Sequence, residues 1–533
     1  RSRSAIRRCS CSEWCECIQL VPGSATGVGL DYANLTQAPA RAVLVEAVQT
    51  SDRTTVAASG STDAAGHYSL EVPANTGLFL QVKAEMVRTG TPAWHYRVLD
   101  NTQGNALYAI TGADFDSGTA NSQHDLHAAS GWGGSSYTGT RQAAPFAILD
   151  TVYQATQLVL GASSTAVFPD LDLFWSVKNI PSTTFDPTTG DVETTQFLSA
   201  DPAGNPPTTV DEIFVLGDAN VDTDEYDASV IAHEWGHYFQ DSFSRDDSFG
   251  GVHALSDRLD LRVAFSEGWG DAFSGMAIGR SVYQDSNGSA QAGGDCLGLE
   301  SDAQLAVCGK PANLGWYNEA SVARVLWDVF DSVNDGADTV SLGFGPIFTV
   351  MNTDMATTRS LTSIYPFAAA LKTRNPSAAS GIDAILNGQS IAASAPNFDE
   401  WGTGETNDAG DASILPLYTA ATVPGTVSNV CSNDNFDGGK DGNKIGESKY
   451  LKFTLGSTRT LTFKATRASG PSSTDPDMEL YGAGLVASAE SSVSNSETFT
   501  QTLAAGTYVL EVFEYSNTTA TPKGLTCFNV SIN

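Results

Sequence analysis

Basic residues are few in this chain: 28 Lys plus Arg stand against 61 Asp plus Glu, a formal charge of -33. A surface so acidic is well solvated and repels polyanions, which makes nucleic acid and anionic membrane poor partners; none is expected. Long apolar runs are also missing. The longest candidate, residues 145–162, is interrupted by Asp150, Gln154 and Gln157, so there is no run of about 18 apolar residues to serve as a transmembrane segment. Methionine does not open the chain, which begins at Arg1 without an apolar stretch behind it. The expectation is a removed export signal or an incomplete start. Histidine is scarce, seven in 533 residues, so any pair of histidines at ligand spacing stands out.

Apolar residues make up 41% of the chain, ample for packed cores, and the length exceeds that of a single ordinary domain. Four of the eight cysteines crowd the start, as Cys9, Cys11, Cys15 and Cys17, without the C-x2-C pairing of structural zinc sites; they read as disulfides or as a disordered segment ahead of metal ligands. The other four suggest two disulfides. Cys296 and Cys308 would close a glycine-rich loop, and Cys431 with Cys527 would bracket the C-terminal segment. That usage fits an oxidising compartment and therefore a secreted, extracellular protein.

Patterning divides the chain into four. Residues 1–25 form a Cys-rich leader of unknown role. Residues 26–125 carry short alternating runs, such as 42–48, 67–72 and 78–84, which read as a β-sandwich. Residues 126–425 turn helical, with amphipathic stretches at 143–160, 227–243, 263–278 and 319–330 and a strand at 213–216. From 426 to 533 the alternation returns, for example at 450–455 and 507–513, as a second sandwich. The expected fold is a mostly α catalytic domain with a small sheet, flanked by two antiparallel β-sandwiches.

The segment His233-Glu234-Trp235-Gly236-His237 carries the chemistry. Two histidines four apart on a helix project from one face within reach of a single ion, and no proline interrupts the surrounding residues. Ile231, Trp235 and Phe239 supply an apolar stripe for packing. With so few histidines, a chance match anywhere in the chain is expected at on the order of a few in a thousand. Catalytic zinc takes three protein ligands and leaves a position open. Gln240 and Phe243 stand where a metzincin would place its glycine and third histidine, which excludes that class. A carboxylate on a following helix is the alternative, and Glu267 supplies one with Asp271 a turn later.

These residues resemble the thermolysin-like gluzincins, in which an E-x3-D segment provides the third ligand and an Asp orienting a ligand histidine. The resemblance implies a zinc peptidase fold of the zincin type, His233, His237 and Glu267 as metal ligands, Glu234 as general base and acid, and Asp271 behind a histidine. The interval from His237 to Glu267 is longer than in the thermolysin type, with an insertion around 246–253. The stretch 61–73 resembles carboxypeptidase regulatory-like modules, and the C-terminal order resembles the prepeptidase C-terminal domain of secreted bacterial peptidases. The wider catalytic region looks like a family of secreted bacterial metallopeptidases.

The expected reaction is hydrolysis of a polypeptide substrate, with Zn2+ lowering the pKa of bound water and Glu234 moving its proton to the leaving amine. Candidates to donate to the oxyanion are His253, the one histidine after the motif, and Tyr317, with Arg324 on the same helix face. The strand at 213–216 is expected to be the edge that pairs with substrate. The aminopeptidase signature G-x-M-E-N is absent, favouring an endopeptidase. Calcium is expected at the alternating oxygens of Asp218, Asn220, Asp222 and Asp224, and the segment 433–443 is similarly rich in Asp and Gly. Both also read as polar turns. Two rival readings stand beside the peptidase: a catalytically retired adhesive protein, and a zinc hydrolase of a non-peptide substrate. Oligomeric state is unknown from the sequence.

Overall fold

The computed structural model describes residues 3–7, 17–21, 23, 28–204, 207–300, 308, 313–333, 338–392, 398–436, 442–519 and 521–533. Cys9, Cys11 and Cys15, and residues 437–441 of the acidic glycine-rich segment, lie outside these. The chain forms two compact units, the first comprising 1–238, 273–298 and 304–309, the second 239–272, 299–303 and 310–533.

The first unit is built on a mixed sheet of ten strands among the described residues. Its path runs Gln196–Leu198, Asp211–Val215, Leu171–Trp175, Trp94–Asp100, Gly77–Arg88, Val43–Gln49, Val56–Ser61. The strands Trp94–Asp100, Leu171–Trp175 and Asp211–Val215 are mutually parallel, and Gln196–Leu198 closes one edge antiparallel to Asp211–Val215. Every residue of Leu171–Trp175 is buried, including Asp172, whose carboxylate accepts both arms of Arg97 on the neighbouring strand at 2.7 and 2.6 Å. Helix α1, Ala144–Ala162, covers this sheet, and its Asp150 takes a bidentate pair from Arg41 at 2.5 and 2.7 Å. The leader contributes backbone pairing: Arg3–Arg7 lies antiparallel to Ser69–Pro73.

The second unit contains helix α4, Glu319–Phe330, further short helices, and two facing sheets from 418 onward. One sheet includes Ser448–Leu455, Gly506–Glu514 and Pro476–Gly482; the other includes Gly425–Ser432, Thr526–Ile532 and Arg459–Ser469. They share one core, with Phe453, Phe463, Leu480, Leu510 and Phe528 at its centre. Both expected disulfides are present, Cys296–Cys308 and Cys431–Cys527. Helix α2, Ala228–Phe243, and helix α3, Leu261–Ile278, each contribute residues to both units.

The expected fold class is overturned. Strand accounts for 33% of the structure and helix for 24%, so there is no mostly α catalytic domain with a small sheet. Of the strands read as a first sandwich, Val43–Gln49 and Gly77–Arg88 belong to the same large sheet as Leu171–Trp175 and Asp211–Val215, whereas Ser69–Pro73 pairs with Arg3–Arg7. The reason is physical: amphipathic helices announce themselves by their period, whereas a strand buried on both faces loses its alternation and reads as nothing in particular. No described helix is long and apolar enough to cross a membrane.

Candidate metal centre

Helix α2 is oriented by its bulky side chains. In the first unit Trp235 stacks on Phe273 with centroids 5.4 Å apart, and the Tyr238 hydroxyl donates to the Pro169 carbonyl at 2.7 Å. In the second, Phe239 stacks on Trp269 at 5.3 Å. These contacts bury the apolar stripe and leave His233, Glu234 and His237 on another face of the same helix.

The two imidazoles present their Nε2 atoms 3.1 Å apart. Two nitrogens bound tetrahedrally to one zinc at about 2.0–2.1 Å would stand about 3.3 Å apart, so this spacing fits a shared ion. His233, His237 and Glu267 each offer a ligand atom, and the three atoms lie within 4.8 Å of one another. A borderline-soft pair of imidazoles with one carboxylate suits zinc, so the residues present fit the metal. Asp271, one turn after Glu267 on α3, is buried.

Glu234 lies beside the sheet edge: its Oε2 accepts the backbone N–H of Phe197 at 2.8 Å. This corrects the expected edge strand. Residues 213–215 are hydrogen-bonded on both sides, to 171–175 and to 196–198, so the free edge belongs to Gln196–Leu198.

In the second unit, His253 places its Nε2 3.4 Å from Oε2 of Glu267 and 3.3 Å from Oε2 of Glu319. The inserted loop carrying it is anchored, since Asn443 Nδ2 donates to the Gly250 carbonyl and Lys444 Nζ to the Val252 carbonyl, both at 3.0 Å. Tyr317 is buried, and its hydroxyl faces the Leu314 carbonyl at 3.1 Å and Asn407 Oδ1 at 3.3 Å. Among the described residues those acceptors occupy its proton, so the structure does not direct it to Glu267 or His253. Arg324 is buried within α4, where desolvation lowers its pKa against the opposing pull of Asp328.

Gly268 lets α4 approach α3 directly beside Glu267. A Cβ there would meet the Glu319 carbonyl oxygen and Val322 Cβ, each at 2.6 Å. Gly268→Ala is therefore expected to destabilise the protein by about 1–3 kcal/mol, because neither backbone nor a β-branched neighbour can retreat cheaply. A denaturant midpoint equal to that of the wild type would show that α4 moves freely there.

The residues expected to hold calcium have different surroundings. Asp218 Oδ1 caps a turn by accepting the Asn220 N–H at 3.0 Å. Asp222 and Asp224 instead gather with Asp285, a residue with no sequence signal linking it to them, one ligand atom from each lying within 4.8 Å of the others. Burial pushes the Asp222 carboxyl up to about 6 and that of Asp285 up to about 7, and burial, followed by repulsion from Asp222 and Asp285, raises that of Asp224 well above the usual carboxylate range.

No protein-family model matches the chain, and no curated protein matches it. Solved structures show local likeness. The pre-peptidase C-terminal domain of a collagenase from Bacillus anthracis aligns over 22% of this chain and 94% of its own, at 12% identity and a TM-score of 0.17. The precursor of protealysin, a metalloproteinase from Serratia proteamaculans, aligns over 57% of this chain and 89% of its own, at 8% identity and a TM-score of 0.30. A family 35 carbohydrate-binding module from an environmental isolate aligns over 16% of this chain and 64% of its own, at 14% identity and a TM-score of 0.13.

Proposed function

We propose that this chain is a secreted zinc-dependent peptidase of gluzincin type, acting within polypeptides. One observation carries the reading: two imidazole nitrogens 3.1 Å apart on consecutive turns of a helix, with a buried carboxylate oxygen joining them inside 4.8 Å. His233, His237 and Glu267 would hold the ion. Bound zinc would supply Lewis acidity toward a peptide carbonyl and toward water. Glu234 accepts the proton of the attacking water and delivers it to the departing amine nitrogen. Asp271 orients a ligand imidazole by accepting its second N–H. His253, whose Nε2 stands 3.4 Å from Oε2 of Glu267, is a candidate donor to the developing oxyanion, and Tyr317 is the other.

The short edge strand Gln196–Leu198 supports a peptide substrate, because an extended chain laid along it would add a strand beside Glu234. Two disulfides support an oxidising, extracytoplasmic compartment. The test is incubation of the full-length chain with denatured protein, beside metal analysis of the same preparation. One zinc per chain is expected, with cleavage that stops on chelation and returns when zinc is restored. Cleavage indifferent to chelator, or binding without cleavage at full zinc occupancy, overturns the reading; the latter is the behaviour of an adhesive protein.

A further inference from the structure

The loop that carries His253 is poorly equipped to hold its own shape. Residues 251–254 are exposed, and Gly250 and Gly251 take φ values of +66° and +102°, where glycine has most freedom to lose. Inside the loop the Ser248 hydroxyl accepts the Gly250 N–H at 3.1 Å, and the Gly251 carbonyl accepts His253 Nδ1–H at 3.0 Å. The second ring nitrogen, Nε2, is thereby turned to Glu267 and Glu319. Outside support comes from far along the chain. Asn443 Nδ2 donates to the carbonyls of Gly250 and Val252 at 3.0 and 3.3 Å, and Lys444 Nζ donates to that of Val252 at 3.0 Å. Lys444 also donates to Asn443 Oδ1 at 2.5 Å and stands 3.4 Å from Asp257 Oδ2, which accepts the Ala254 N–H at 3.1 Å.

Asn443 is fully buried and Lys444 nearly so, at 3% exposed. A buried amide and a buried ammonium are tolerated only where acceptors meet them, and here the acceptors are the loop. Backbone bonds fix the same segment to the head of α3. The Asp260 N–H donates to the Asn443 carbonyl at 2.8 Å, the Ile445 N–H donates to the Arg258 carbonyl at 2.9 Å, and Leu259 and Lys444 form an antiparallel bridge. Leu261 then begins the helix that carries Glu267. One short segment therefore grips both members of the His253–Glu267 contact, the loop with its side chains and the helix with its main chain.

We infer that Asn443 and Lys444 are positioning residues, holding the His253 imidazole against the carboxylate of Glu267. The segment leading into the C-terminal sheets is then part of the reaction centre's support. The catalytic consequence rests on the peptidase reading above, whereas the positioning does not. A ligand carboxylate keeps its geometry through the groups that hydrogen-bond it, and loss of such a partner costs about 10–100-fold in metal affinity or activity. Asn443 and Lys444 act on the reaction through His253, and that dependence separates positioning from a general contribution to the fold.

The test places Asn443→Asp and Lys444→Met in the full-length chain, alone and combined with His253→Ala. Asn443→Asp keeps the shape and the acceptor for Lys444 but loses both donations to the loop. Lys444→Met removes a buried charge and bears more on folding, so the two variants are read together. In folded, zinc-loaded protein each is expected to lower kcat by about 10-fold or more while KM stays within about twofold. Each should also speed backbone hydrogen exchange across 250–254. Neither should slow the His253→Ala protein further, because the residue they act through is gone. Equal fold losses in the wild-type and His253→Ala backgrounds overturn the proposal, since they mark an effect on the fold as a whole. Unchanged exchange at 250–254 in a folded Asn443→Asp protein overturns it as well. That measurement is made on chains carrying Glu234→Gln and needs no turnover. It therefore decides the positioning even where wild-type protein holds zinc and cleaves nothing, a result that counts against the peptidase reading alone.

Discussion

Glu234→Gln is expected to keep its zinc and lose turnover by at least about 100-fold, because the substitution leaves the three ligands intact and removes the group that carries the proton. Glu267→Ala should lose zinc affinity and activity together, since it deletes a ligand. Asp271→Ala should fall between them, weakening metal affinity or activity by about 10–100-fold through a misoriented imidazole. Zinc stoichiometry and hydrolysis rate measured on the same three preparations separate these roles. A Glu234→Gln protein cleaving at the wild-type rate would remove the general base from the mechanism, and a Glu267→Ala protein holding zinc normally would send the search for the third ligand elsewhere.

The second large effect is expected at Arg262, five residues ahead of Glu267 on α3. Its guanidinium is fully buried, with Nη1 and Nη2 on the two oxygens of Glu511 at 2.6 and 2.7 Å, Nε on Asp260 at 2.9 Å, and the hydroxyls of Tyr481 and Tyr450 at 3.0 and 2.9 Å. Glu511, Tyr450 and Tyr481 belong to the paired sheets that follow residue 418. Arg262→Met would leave two carboxylates buried without their cation, a loss of about 3–5 kcal/mol. Chemical denaturation of the second unit measures it. Deleting 426–533 should be at least as damaging, because the guanidinium would lose most of its acceptors on the helix that carries Glu267. If a chain ending at 425 folded and bound zinc with wild-type affinity, the C-terminal sheets would be a separable module, as their return to alternation suggests.

Helices with a polar and an apolar face were plain in the sequence. The stretch 319–330 is α4, and 143–160 is α1 to within two residues at either end. The alternating runs 450–455 and 507–513 are strands for the same local reason. Leu171–Trp175 was not legible, since all five residues are buried and one of them is an aspartate whose partner, Arg97, is 75 residues away. The edge strand was misplaced by one strand. Gln196–Leu198 is too short to show a period, whereas the apolar run at 213–216 is conspicuous because it lies inside the sheet.

What the sequence determined by itself was local: the two histidines and the glutamate between them on one helix, and the carboxylates Glu267 and Asp271 one turn apart on another. A period of 3.6 residues places side chains at i and i+4 together wherever the helix lies. Tertiary structure alone decided which separate stretches meet. It brought Phe197 to Glu234, His253 to Glu267, Asp285 to Asp222 and Asp224, and Arg262 to Glu511. Those meetings depend on strand order, sheet closure and the burial of charge, which are properties of the packed chain as a whole and leave no mark at a fixed spacing in the sequence.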